Sequence, residues 1–102
     1  MIPVSLDPAL HAPARLQIIA VLASVDSAEF ARLRNVTGVS DSVMSKHLAA
    51  LVVAGHVVLK KSALDGRQRT WASLTPNGRA SFAGHVAALQ AMVAAAAQAA
   101  AD

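Results

Sequence analysis

Cysteine is absent from these 102 residues. That absence excludes disulfides, thiolate-bound metal and a thiol redox switch. Only three residues are aromatic and six are acidic, and the carboxylates are too scattered for paired acid–base work. No phosphate-binding glycine loop and no Cys-His or Ser-His-Asp grouping is discernible, so an enzyme is not expected. The histidines His11, His47, His56 and His85 stand far apart, without an i, i+4 pair or a carboxylate cluster. Neither a metal nor another cofactor is therefore expected. Apolar runs such as Ile18 to Ala23 and Met92 to Ala97 fall far short of the roughly 20 residues of a membrane span. The opening "MIPVSLDPALHAPAR" lacks the basic-then-apolar order of a signal peptide. The expectation is a cytoplasmic protein with no membrane partner.

What is present is alanine, within a composition that is 55% hydrophobic, and enough length for one domain over residues 1–102. The formal charge is +3, but it is unevenly placed. From Ser42 to Arg79 the cations Lys46, Lys60, Lys61, Arg67, Arg69 and Arg79 face only Asp65, whereas residues 80–101 carry no charged side chain. A local basic stripe points to a polyanion, most often nucleic acid, with a solvated surface as the plainer alternative.

Asp7-Pro8 predicts a helix start, with Leu16, Ile18, Ile19, Leu22 and Val25 at helical spacing and Pro13 breaking or bending the first turn. Asp26 and Glu29 predict a capping box for a second, short helix carrying Phe30 and Leu33, which "NVTG" closes. Ser40 predicts the cap of a third helix that ends at Gly55. Met44, Leu48, Leu51 and Val52 share its apolar face, opposite Ser42, Ser45, Lys46 and Ala49. The period then changes to two. "HVVLKKSAL" and "RQRTWASLT" predict strands joined at Asp65-Gly66, a hairpin turn signal. Thr75-Pro76 opens a last helix, in which Phe82, Val86, Leu89 and Val93 form a narrow stripe and Gly84 weakens the middle. The order predicts an α+β, mainly helical fold. It is a winged helix-turn-helix with three helices, a two-stranded β wing and a long C-terminal helix over residues 76–101.

A recognition helix needs short polar or cationic side chains toward the major groove. The third helix offers Ser40, Ser42, Val43, Ser45 and Lys46, its N-terminus adding partial positive charge. Asp41 would be repelled by a phosphate and reads as a simple helix-start charge. His47 suits a structural or backbone-contacting role. On the hairpin, Lys60, Lys61, Arg67, Gln68 and Arg69 surround the tip. Alternation is expected to put Lys61, Arg67 and Arg69 off a face that buries Leu59 and Trp71. Arg67 and Arg69 are the candidates for a minor groove. Edge-strand protection is the rival explanation for lysines here, but it needs fewer charges.

The stretch from Ser40 to Phe82 resembles the winged helix-turn-helix core of MarR- and ArsR-type bacterial transcriptional regulators, their small single-domain members above all. The residues that carry the resemblance are Ser45, His47, Leu48, Leu51 and Gly55, then Gly66, Arg67 and Arg69, then Leu74 to Arg79. Upstream, "EFARLRNVTGVSDS" is similar to the family's second helix and turn. The resemblance implies a homodimer that binds double-stranded operator DNA and regulates transcription, in the main by repression. Arg79 joins the DNA-facing set on this basis. The terminal helices would build the dimer, through Leu10, Phe82, Val86, Leu89, Met92 and Val93. A dimer would set its recognition helices roughly 34–36 Å apart on a pseudo-palindromic site. The cysteine-containing site of metal-sensing relatives is missing. A small-molecule effector between the terminal helices is compatible with the pattern, although no residue nominates it. The alternatives left open are a last helix folded back over its own core, and a winged domain that docks a protein instead of DNA.

Overall fold

Two prolines decide how the chain enters the fold. In a computed structural model, which describes residues 6–101, the Asp7 carboxylate accepts the Ala9 N–H at 2.9 Å and caps a short 3-10 turn, Pro8–Leu10. The first five residues of the stretch read against a signal peptide, and Asp102, lie outside the described residues. Of the break or bend expected at Pro13, the structure has the break, which separates this turn from the helix that follows. Pro13 occupies the first position of α1, Pro13–Ala23, where its missing N–H costs nothing.

The expected capping box at Asp26 and Glu29 does not form. Ala28–Glu29 is a short strand, β1, and Glu29 precedes α2, Phe30–Thr37, without a side-chain cap. Gly38, at φ 72°, ends α2 in the left-handed conformation that glycine adopts freely. Ser40 then caps α3, Asp41–Val53, its hydroxyl accepting the Val43 N–H at 3.3 Å. Met44, Leu48 and Leu51 are buried on α3, but Val52, expected with them, is 40% exposed.

Strands β2, Val57–Leu64, and β3, Arg67–Leu74, pair antiparallel through a two-residue turn. Asp65 and Gly66 both have positive φ, 53° and 74°, the conformation of a type I′ hairpin turn. β1 adds a third strand beside β3, giving the order β1-β3-β2. The sheet is thus one strand larger than the sequence suggested.

Thr75 caps α4, Pro76–Ala101, its hydroxyl accepting the Gly78 N–H at 2.8 Å. Gly78 lies so close to the end of α3 that a β-carbon there would collide with the His56 carbonyl oxygen. Asp7 reaches the same junction: its carboxylate meets His56 Nε2 at 2.7 Å, and its N–H donates to Nδ1 of buried His85 on α4 at 3.0 Å. Burial pushes the Asp7 carboxyl up. The Ala9 N–H, the His56 hydrogen bond and the two nearby imidazoles outweigh it and hold the pKa below the ordinary value of 3.8.

The core is apolar and continuous: Leu10, Ile18, Ile19, Leu22, Leu33, Met44 and Leu51 are fully buried, with Val57, Ala72 and Leu74 closing it from the sheet. α4 leaves this body. It is about 39 Å long at ~1.5 Å per residue, and every described residue beyond Gln90 is exposed. The molecule measures 62 × 26 × 21 Å as a result. By length and composition α4 would suffice to cross a bilayer, which the count of uninterrupted apolar runs did not register. Its first half, however, is fixed to the core by Gly78, His85 and Ala88.

Candidate nucleic-acid interface

The outer side of α3 follows from its buried side. With Met44, Leu48 and Leu51 inward, a helix of 3.6 residues per turn directs Ser42, Lys46, Ala49 and Val53 outward, and all four are exposed. Ser45 flanks this row toward the hairpin, and Val43 flanks the other side at 38% exposure. At the start of α3, Ser40 and Ser42 share a hydroxyl hydrogen bond at 3.3 Å. Asp41 is neutralised by Arg34 of α2, whose guanidinium donates to its carboxylate at 2.8 Å. The one negative charge at this helix end is thus countered across the turn.

His47 braces the helix. Its Nδ1 accepts the Arg15 Nε–H from α1 at 3.1 Å, which requires a neutral ring. Burial, and then the Arg15 charge, lower its pKa below 6.5. Among the two roles weighed for His47, the structure supplies the structural contact.

The hairpin corrects one expectation. Its register pairs Leu59 with Ala72 and Lys60 with Trp71. Leu59 and Trp71 therefore lie on opposite faces, because a two-residue turn sets Leu64 across from Arg67. Lys61 and Gln68 share the Leu59 face, and Lys60, Arg67 and Arg69 share the Trp71 face. Lys61 lines a cleft together with Thr70, Leu59 and, from the helices, Phe30, Ser45, Leu48 and Ala49. The outer side of α3 and one face of the hairpin thus border a single cleft. On the opposite face, Lys60 and Ser62 lie beside Trp71 and Ser73.

The cations are not equivalent. Arg69 donates to the Glu29 carboxylate at 2.8 Å and ties the base of the wing to β1. Arg79 donates to the Ala23 carbonyl at 3.1 Å, which completes the end of α1. Among the described residues, Lys46, Lys60, Lys61 and Arg67 make no ion pair or hydrogen bond through their side chains. Together with Arg32 of α2, which is exposed and likewise makes no such contact, these four hold the uncommitted positive charge. Sequence reasoning passed over Arg15 and Arg34, whose partners lie on a different helix in each case. For Arg34 the seven-residue spacing to Asp41 across a tight turn is a usable signal; for Arg15 there is none.

The residues nominated for self-association divide. Leu10 is fully buried in the chain's own core, so it has no surface to offer a second copy. Phe82 packs against that core, and Val86 and Leu89 are half-buried. Met92 and Val93 stand exposed at 56% and 70%. The first half of α4 therefore does fold back, while the second half does not.

Comparison with known proteins agrees with this geometry. The model of a family described as a winged helix DNA-binding domain matches residues 14–93. An uncharacterized protein of Methanocaldococcus jannaschii is 32% identical over 72 residues, covering 71% of this chain and 78% of that protein. The structure of a transcriptional regulator homologue from Pyrococcus horikoshii superposes with a TM-score of 0.79 at 25% identity, covering 85% of this chain and 86% of that one. A MarR family transcriptional regulator from Silicibacter pomeroyi shares the fold, with a TM-score of 0.66 at 24% identity over 83% of this chain and 56% of its own. With caps, turn, recognition helix and wing all in the order that this fold requires, the chain belongs to the winged helix DNA-binding domain family and shares its architecture with MarR-type transcriptional regulators.

Proposed function

We propose that this protein is a sequence-specific transcriptional regulator that binds a pseudo-palindromic operator as a homodimer, with repression by occupancy of that operator as its simplest action. α3 enters the major groove and the wing lies on the minor groove or the backbone. The observation that carries this reading is the shared cleft, where Ser45 and Ala49 of α3 face Lys61 and Thr70 of the hairpin. Lys61 lines it and Lys46 stands on the adjoining outer face of α3, while Lys60 and Arg67 charge the other face of the wing; among the described residues no carboxylate pairs with any of the four. A protein-docking wing would be apolar or mixed in charge, so a nucleic-acid partner fits better. The self-association half of the reading rests on α4. A projecting, alanine-rich helical segment of about a dozen residues is marginal in water by itself, and an apolar groove runs along it between Leu6, Ala88, Ala91, Met92 and Ala95. A second copy seated there would bury that face. An effector that altered this packing would change the spacing of the two recognition helices.

The test is a salt series on DNA binding with Lys46→Ala, Lys61→Ala and Arg67→Ala. Each phosphate contact removed should flatten the dependence of log K on log salt by about 0.9. Unchanged affinity and unchanged slope in all three would remove α3 and the wing from the interface.

A further inference from the structure

We infer that α3 reads thymine methyl groups, so that the half-site carries A·T pairs opposite Ala49 and Val53. This inference rests on the DNA-binding reading above and specifies what that site recognises. The outward row of α3 is Ser42, Lys46, Ala49 and Val53, half of it apolar. Val53 is 88% exposed, more than any other large apolar residue among those described. Val43 and Val52 add exposed apolar surface on either side of the row.

The major groove offers each base pair a distinct edge, and side chains match it by type. Arginine or lysine suits guanine, asparagine or glutamine suits adenine, and a carboxylate suits cytosine, whereas apolar groups meet the thymine 5-methyl. α3 contains no arginine, asparagine, glutamine or glutamate. Its single carboxylate, Asp41, is held by Arg34 at 2.8 Å. Bidentate readout of adenine therefore has no donor–acceptor pair on this helix, and cytosine has no free carboxylate. Ser42, Ser45 and Lys46 supply the polar contacts, with Lys46 available to one guanine. Ala49 and Val53 then have one kind of apolar group to meet in the groove, the thymine methyl. The small side chains of Ser42 and Ala49 allow the helix to approach the base edges closely. The frame around the apolar row is cationic, through Lys46 on the helix and Lys61 across the cleft. That combination is complementary to a polyanion that carries methyl groups.

The experiment starts by selecting duplexes from a random pool with the full-length wild-type protein. Deoxyuridine then replaces each thymidine of the selected site, one position at a time. This keeps the base pair and deletes only the methyl. At positions facing Ala49 and Val53 the affinity should fall about fourfold per methyl, which corresponds to the ~0.8 kcal/mol of one buried carbon. Ala49→Ser and Val53→Asn, both at exposed positions, should retain the wild-type melting temperature and lose the preference for thymine over uracil. Tolerance of deoxyuridine throughout a site that is bound selectively would overturn methyl readout and leave DNA recognition standing. So would a thymine preference unchanged in both variants. Failure to enrich any duplex would overturn the DNA-binding reading itself, and the exposed valines would then mark a protein-docking face.

Discussion

Gly78→Ala probes the joint on which α4 is mounted. An added β-carbon would collide with the His56 carbonyl oxygen and lie 2.8 Å from Leu74 Cδ1. That carbonyl accepts the Thr75 N–H at 2.9 Å, and Thr75 in turn caps α4. The obstacle is therefore backbone within a hydrogen-bonded junction, and it has little room to move. Overpacking of this kind costs about 1–3 kcal/mol, with the upper part of the range appropriate to a rigid neighbour. Alanine's helix propensity returns ~1 kcal/mol. The net loss should be about 1–2 kcal/mol, or roughly 5–15 °C in melting temperature for a domain of this size. Gly84→Ala is the control. It lies on the same helix, and no atom stands within 4 Å of the added carbon, so it should raise the melting temperature through ~0.5–1 kcal/mol of propensity. Thermal unfolding followed by circular dichroism measures both. A Gly78→Ala protein at least as stable as wild type would refute the close packing described for this junction, and a Gly84→Ala protein less stable than wild type would refute the open surroundings of Gly84.

Other expectations concern charge and assembly. The depressed pKa of Asp7 means that its contribution to stability is present above pH 3.8 and lost as the pH falls through the lower, folded-state value. In urea titrations at pH 7 and pH 3, Asp7→Asn should be less stable than wild type at neutral pH and lose less on acidification; equal losses would remove Asp7 from the linkage. On the wing, Arg67→Ala should reduce the salt dependence of DNA binding more than Arg69→Ala does, because Glu29 already neutralises Arg69. The reverse order in a salt series would show that the ion pair opens on DNA. Met92→Glu lies on the exposed half of α4 and should leave the protomer folded. It should shift sedimentation velocity from dimer toward monomer, and an unchanged boundary would place self-association elsewhere.

Much of the fold was legible because its signals are local. Ser40, Thr75 and Asp65-Gly66 act through hydrogen bonds or dihedral angles within three residues of themselves, so residue type suffices to place a cap or a turn. Gly38 and Gly55 are read the same way. The faces of the hairpin were not legible, since Leu59 and Trp71 could be assigned to sides only once the turn length fixed their register. β1 is two residues long and has no period of its own. It exists because Ala28 and Glu29 find Ala72 and Trp71 across a sheet edge. The basic stripe was visible as composition, but its division into free and committed cations was not. Arg69 and Glu29 are forty positions apart, and Arg79 finds a carbonyl on α1. The exposure of Val52 is likewise a structural result, because that residue reads as core on helical period alone.

The most direct measurement of the central claim is fluorescence anisotropy of the wild-type protein with a labelled duplex taken from the DNA upstream of its own coding region. A scrambled duplex of equal length and composition is titrated beside it across a salt series. The expected result is tighter binding to the upstream duplex, weakening steeply with salt as the uncommitted cations of α3 and the wing release counterions. Equal affinity for both duplexes, insensitive to salt, would contradict specific recognition by these surfaces.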